Sequence, residues 1–214
     1  MTKKIKSPFL LGVDEAGRGS WAGPVVAAAC ALQEGKEYPF AMFLRDSKQL
    51  SPKKREEIFA MIQESMKLGQ CFVGVGVIGS DIIDRVGIRE ANRRAMEEAL
   101  RQVLVRMEHD SGIIKIDGRD NYEFPGIAPE RVKYIVRGDT FVPEIQAASI
   151  LAKVSRDHIM EELAIFYPEY GFEKHKGYGT RLHEKNLELH RPSVLHRKSY
   201  ATIKKLILER EGIG

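Results

Sequence analysis

Four carboxylates in this 214-residue chain stand where short apolar runs stop. Phe9 to Val13 closes on Asp14-Glu15, Ile113 to Ile116 closes on Asp117-Gly118, and Val132 to Val136 is followed by Arg137-Gly138-Asp139. Short apolar runs bounded by glycine or charge predict buried strands, so the acids mark three strand ends. Strands that neighbour one another in a sheet can bring such ends together. Four carboxylates in one site repel each other and do not all ionise unless positive charge lies among them. Hard divalent cations prefer carboxylate oxygen, and magnesium is held by a few carboxylates plus substrate phosphate oxygens. Two such ions about 4 Å apart can position a water for in-line attack and stabilise the leaving oxygen. One acid after one strand is an ordinary turn residue; recurrence at three strand ends carries the metal reading. A geometric condition attaches to it. Consecutive strand residues point to opposite faces, so Asp14 and Glu15 share a site only if the strand ends or bulges there.

Gly17-Arg18-Gly19 follows the first acidic pair. Glycines let a backbone approach a ligand closely, and an arginine between them can reach a phosphate. Gly17, Gly19 and Ala22 also fit a dinucleotide-binding fingerprint, but three features reject it. Pro24 followed by Val25-Val26-Ala27-Ala28-Ala29 predicts a strand where that fingerprint needs a helix. A suitably spaced acid after a second strand is missing. Asp14 and Glu15 would repel a pyrophosphate. Further candidates for contact with an anionic substrate are Lys48, ahead of a predicted helix start, and Lys153, three residues before Arg156 on a later helix. Tyr178 lies between glycines in His175-Lys176-Gly177-Tyr178-Gly179-Thr180, where its ring can stack on a sugar or base. His175, His183, His190 and His196 show no metal-ligand spacing and read as surface residues.

The elements that must carry these residues are legible in outline. Strands are predicted at Phe9 to Val13, Val25 to Leu32, Cys71 to Ile78, Ile113 to Ile116 and Val132 to Val136. Ser51-Pro52 starts a helix as cap and first-turn proline; Ile58, Ile62 and Met66 form its apolar stripe and Gly69 closes it. Ser80-Asp81 opens a helical region interrupted at Gly87, with Asn92, Met96, Ala99, Leu100 and Val103 on one face. Pro143 starts a long helix to about Leu163, with Ile145, Ala148, Ala152, Ile159 and Leu163 inward. Two more helices are predicted near 180–190 and 200–210. This order suits a mixed α/β sheet with helices packed on it.

Composition bounds the partners. Hydrophobic residues make up 43% and charged residues 30%, which suits a soluble globular chain. One domain, residues 1–214, is expected, with 171–214 as a basic helical carboxy-terminal extension. That stretch holds ten Lys/Arg against five Asp/Glu, a net of +5, while residues 1–170 sum to −1. A basic end suggests a polyanionic partner. Cys30 and Cys71 form no CxxC pair and read as buried, reduced thiols. With no apolar run long enough to span a bilayer and no signal-peptide pattern, a cytoplasmic protein without a membrane partner is expected, and a monomer.

Blocks of the chain resemble ribonuclease HII of bacteria. Gly12-Val-Asp-Glu-Ala-Gly-Arg-Gly-Ser-Trp-Ala-Gly-Pro-Val-Val is similar to the family's amino-terminal signature, and Asp46-Ser-Lys-Gln-Leu-Ser to its next block. Ile116-Asp-Gly resembles the third. Gly138-Asp139 with Val142-Pro-Glu-Ile-Gln-Ala-Ala-Ser-Ile-Leu-Ala-Lys-Val-Ser-Arg-Asp resembles the fourth. His175-Lys-Gly-Tyr-Gly-Thr and His196-Arg-Lys-Ser-Tyr resemble the closing blocks. The departures are Ser20-Trp21 for what is often Pro-Leu and Gln146 where serine is common, and neither touches the acids.

The resemblance implies a ribonuclease H-like α/β fold, a five-stranded mixed sheet flanked by helices. It implies that Asp14, Glu15, Asp117 and Asp139 are metal-binding catalytic acids for Mg2+ or Mn2+. Gly17, Arg18, Gly19 and Tyr178 would read the junction where a ribonucleotide meets DNA, with Lys48 and Lys153 as further substrate contacts. The implied activity is hydrolysis of the RNA strand of RNA–DNA hybrids, and cleavage 5′ of ribonucleotides embedded in duplex DNA, leaving 3′-hydroxyl and 5′-phosphate ends. A non-catalytic hybrid-binding protein is the rival from another class. Its weakness is that unshielded acids beside a phosphate would oppose binding.

Overall fold

The structure is a computed structural model that describes residues 8–44, 50–107 and 112–211. Five strands form one sheet: β1 (Phe9–Ala16), β2 (Val25–Gln33), β3 (Cys71–Ile78), β4 (Ile114–Asp117) and β5 (Val132–Ile135). Their spatial order is β3-β2-β1-β4-β5. β2 is antiparallel to both β1 and β3, whereas β4 runs parallel to β1 and β5 parallel to β4. This is the expected mixed sheet.

Helices cover both faces, which explains why β2 is a continuous small apolar run rather than an alternating one. Ala27, Ala29 and Ala31 pack in the core under α3 (Ile88–Leu104), and Ala28, Cys30 and Leu32 pack in the core under α1 (Pro52–Lys67) and α4 (Pro143–Phe166). A β-carbon added at Gly74 or Gly76 of β3 would stand 2.1 or 2.0 Å from the carbonyl oxygens of Ala99 and Ala95. Glycine there lets α3 lie backbone to backbone on the sheet. The predicted face of α3 is buried in full, Asn92 included, and burying each of Met96, Leu100 and Val103 stabilises by about 1.5–3 kcal/mol.

The helix signals also hold. Ser51 Oγ accepts from the Lys54 amide at 3.2 Å. Gly87, at a φ of +79°, separates α2 (Ser80–Val86) from α3. On α4, Ile145, Ala148 and Ala152 face inward as expected and Leu163 is half-buried against a core, but the buried residues of the second half are Met160 and Ala164, and Ile159 is only half-buried. The stripe shifts by one residue because the helix changes partner. Its first half lies on the sheet, and its second half packs in a core with Ala22, Tyr170, Phe172, Leu187 and Ile203. That core is completed by α5 (Phe172–His175), α6 (Arg181–Leu189) and α7 (Ala201–Glu211). Both cysteines are buried and free. Among the described residues no helix is long and apolar enough to cross a membrane.

Candidate active site

The acids gather at the carboxyl ends of β1 and β4. Val13 pairs with Ile116 across these parallel strands, so Asp14 and Asp117 follow side by side on the same face. The Asp139 amide, in a 3₁₀ turn (Gly138–Thr140) ahead of α4, donates to Asp117 Oδ1 at 3.3 Å. β1 neither ends nor bulges at the acidic pair, contrary to the condition set by the sequence: Asp14, Glu15 and Ala16 stay in register with Ala28, Ala27 and Val26. Asp14 accordingly interacts with Ser149 of α4, and Glu15 with Asn92 of α3, on the other side of the sheet. Both still feel Asp117, because β4 runs beside β1 and ends there. Burial raises the pKa of Asp14 well above the usual range, and the charges of Glu15 and Asp117 add to it. Burial also raises that of Glu15, with Asn92 and Arg18 opposing.

These residues fit a hard divalent cation. The donor set is all oxygen, and its internal repulsion is what such a cation would relieve. Among the described residues no three Asp, Glu, His or Cys side chains stand close enough together to hold a metal ion between them.

Beside the acids a cleft of about 360 Å3 is lined by Glu15, the 17–19 loop, Arg55, Ser149, Lys153 and Tyr178. Two buried arginines that the sequence reading left without this role hold the loop side of it. Arg156 donates from Nε to the Pro24 carbonyl at 2.9 Å and from Nη2 to that of Ala22 at 3.2 Å. Arg197 donates to the carbonyls of Gly23 and Arg18, each at 2.9 Å. Gly17 has a φ of +86°, and a β-carbon on it would stand 1.8 Å from Arg156 Nε. Its glycine is therefore required by packing as well as by conformation. Gly19 is exposed with open space around it. The Arg18 guanidinium pairs with Asp120 and lies 3.7 Å from Glu15.

Across the cleft, Tyr178 is partly exposed, with Lys153 Nζ 5.6 Å and Arg156 Cζ 5.2 Å from its ring centre. Trp21 ties its loop to the glycine loop: the Trp21 amide donates to the Gly177 carbonyl at 2.8 Å. Lys48 lies outside the described residues.

The histidine reading needs correction. His190 is exposed, but His175, His183 and His196 are buried beneath the Tyr178 loop. The Ser193 amide donates to His196 Nδ1 at 2.9 Å, the two Nε2 atoms of His196 and His183 are 3.0 Å apart, and His183 Nδ1 donates to the Tyr178 carbonyl at 3.0 Å. His175 stacks on His183 at 4.3 Å. This chain is consistent with neutral rings, and burial pushes His183 down to about 4 and His196 to about 3. Part of the basic end is likewise spoken for: Lys176 pairs with Glu161 at 3.0 Å and Arg197 is fully buried.

Comparison with known proteins decides the family. The family model described as Ribonuclease HII matches residues 11–203. The chain belongs to the ribonuclease HII family. It is thus an endonuclease of the ribonuclease H class, with a ribonuclease H-like fold, and acts on nucleic acid with the help of metal. It is 44% identical over 195 residues to a ribonuclease HII of Chlamydia pneumoniae, covering 91% of this chain and 84% of that one. Among solved structures it resembles the ribonuclease H2 of Pyrococcus horikoshii OT3, with a TM-score of 0.71 and 24% identity over 96% of this chain and all of that one. It also resembles Bst-RNase HIII in complex with Mn2+, with a TM-score of 0.71 and 18% identity over 98% of this chain and 72% of that one. The blocks quoted from the closing part of the sequence, around His175 and His196, are the ones that brace the two loops. Asn92 was visible as the one polar residue on an apolar helix face. Asp120, on an irregular loop, gave no signal.

Proposed function

We propose that this ribonuclease HII hydrolyses the phosphodiester on the 5′ side of a ribonucleotide, in RNA–DNA hybrids and at single ribonucleotides embedded in duplex DNA. The observation that carries this reading is the meeting of Asp14, Asp117 and Asp139 from three separate segments, beside a cleft flanked by the glycine loop and Tyr178. Asp14, Glu15, Asp117 and Asp139 would hold Mg2+ or Mn2+. The chemistry that a bound pair of these ions supplies is activation of the attacking water and neutralisation of charge on the leaving oxygen. The new bond joins the water oxygen to phosphorus. The bond to the upstream O3′ breaks, and that oxygen takes a proton, leaving 3′-hydroxyl and 5′-phosphate ends. Gly17, Arg18 and Gly19 meet the ribonucleotide, whose 2′-hydroxyl distinguishes RNA from DNA. Tyr178 stacks on the sugar beyond the scissile bond, and Lys153 and Lys48 contact phosphates. We take residues 1–214 as one domain acting in the cytoplasm as a monomer, the 171–214 extension bracing the cleft through Arg197.

The test is a nicking assay on a duplex carrying one ribonucleotide, with end mapping. Metal-dependent cleavage 5′ of that nucleotide, absent from Asp14→Asn, is expected. Cleavage on its 3′ side, or undiminished turnover by Asp14→Asn, would sink the reading.

A further inference from the structure

A circuit of polar contacts joins the carboxylate of Glu15 to the guanidinium of Arg18 through Asn92, Tyr122 and Asp120, to which the proposed function assigns no role. Asn92, fully buried on α3, interacts with the Glu15 side chain and donates from Nδ2 to Tyr122 Oη at 3.3 Å. Tyr122 Oη donates to Asp120 Oδ2 at 3.1 Å. Arg18 Nη1 donates to the same Asp120 oxygen and lies 3.7 Å from Glu15 Oε1, which closes the ring. The loop after β4 that carries Asp120 and Tyr122 is itself held. The Tyr122 amide donates to Tyr134 Oη at 2.7 Å, and Tyr134 Oη donates to the Tyr122 carbonyl at 2.8 Å. The Arg89 guanidinium lies over the Tyr122 ring at 5.2 Å, with its Nε 3.9 Å from Asp120 Oδ1.

We propose that Asp120 is a positioning residue: with Tyr122 and Asn92 it holds the Arg18 guanidinium in one orientation relative to Glu15, so that ribonucleotide contact and the acidic site are set together. The inference rests on the reading of the glycine loop given above. The Arg18 main chain is already fixed by Arg197, but its side chain is 40% exposed. A free arginine side chain carries about 2 kcal/mol of rotamer entropy. A carboxylate that takes Nη1 removes much of that freedom before substrate arrives. The planar fork still has Nε and Nη2 to offer a ligand in the cleft. Charge alone argues the other way. Asp120 is negative and close to where a phosphate would lie, so removing it should help every duplex bind. The two effects are separable: charge acts on both duplexes alike and leaves the ratio of their affinities unchanged, whereas loss of positioning lowers that ratio.

The experiment measures binding of an all-DNA duplex and of the same duplex with one ribonucleotide, by fluorescence anisotropy in EDTA, where no cleavage occurs. Discrimination is the ratio of the two affinities. Wild type should prefer the ribonucleotide duplex, and Arg18→Ala should abolish the preference. Asp120→Ala should reduce it by about tenfold, the scale of one hydrogen bond to a charged group, while all-DNA binding is unchanged or tighter. Asp120→Asn, which keeps an acceptor for Arg18, should recover part of the loss. In the Arg18→Ala background Asp120→Ala should have no further effect. Tyr122→Phe, which deletes only the hydroxyl, should shift the ratio in the same direction if Asp120→Ala fails to fold, and Glu123→Gln on the same loop should not shift it. If Arg18→Ala discriminates normally, or wild type does not discriminate, the glycine-loop reading fails and this inference falls with it. If Arg18→Ala loses discrimination while Asp120→Ala and Tyr122→Phe keep it, the loop reading stands and the circuit is overturned.

Discussion

Arg197 Nη1 donates to the carbonyl of Arg18 at 2.9 Å, across 179 positions of sequence. The loop after the first strand is thus held from the far end of the chain. Arg197 is fully buried, and it also serves Gly23 and the Tyr200 hydroxyl. Lysine cannot reproduce this planar fork, and a shorter side chain would leave buried carbonyls without donors. Arg197→Lys is expected to lose about 2–4 kcal/mol of stability, read from urea unfolding, and Arg197→Ala more. Unfolding curves that coincide with wild type would mean that the loop is held by something else.

Asp14→Asn should abolish metal-dependent cleavage yet preserve duplex binding, since one less negative charge faces the phosphate. Its effect on stability has a definite sign. The folded-state pKa of Asp14 is raised by burial and by neighbouring acids, so at neutral pH its charge opposes folding. The metal-free variant should therefore unfold at higher urea than metal-free wild type at pH 7. Added Mg2+ should stabilise wild type, as any ligand selective for the folded state does, and should stabilise the variant less. A lower urea midpoint for Asn would contradict this account of the site.

Tyr178→Ala should lose more activity on a single embedded ribonucleotide than on a long RNA–DNA hybrid, because a ring over the downstream sugar favours one without a 2′-hydroxyl. Loss of one stacking contact costs about 1–3 kcal/mol, a drop of roughly tenfold to a hundredfold. Tyr178→Phe, which keeps the ring over Lys153 and Arg156, should lose less. Equal losses on both substrates would make Tyr178 a general packing element.

Lys174 and Arg181, both exposed, should supply affinity without selectivity, as phosphate contacts do. Neutralising both should weaken all duplexes alike and flatten the salt dependence. Lys176 is mostly covered and paired with Glu161, so its neutralisation should change the slope less. An unchanged slope for Lys174 and Arg181 together would assign this surface to solvent.

The buried histidines predict acid sensitivity. Their folded pKa values, about 4 for His183 and about 3 for His196, lie below the usual value near 6.5. The unfolded chain therefore binds protons first. The stability from neutral burial is fully present above about pH 6.5 and is lost as pH falls towards the folded values. Each imidazole should remove up to about 2 kcal/mol between pH 7 and pH 5. Urea unfolding at the two pH values checks this, with His183→Gln expected to flatten the difference.

Local signals in the sequence were sufficient for the strands and the longer helices. The Ser51 cap, the break at Gly87, the alanine-rich run of β2 and the apolar face of α3 each depend on residues a few positions apart, and backbone geometry reads such spacings directly. The acids at the ends of β1 and β4, and Asp139 just beyond β5, were legible for the same reason, and the order of blocks from Gly12 to Tyr200 indicated the family. Tertiary structure alone decided what depends on partners distant in sequence. Asp14 and Glu15 lie on opposite sides of an unbroken strand and still meet Asp117, because strand order puts β4 beside β1. Arg156, Arg197 and three histidines are polar side chains that sequence reasoning assigns to water. They are buried because carbonyls at 18 and 22–24, the Tyr170 and Tyr178 carbonyls and one another take most of their donors. No local pattern reports such a partner, since a buried polar group is stabilised by whatever the fold brings to it, at any separation along the chain.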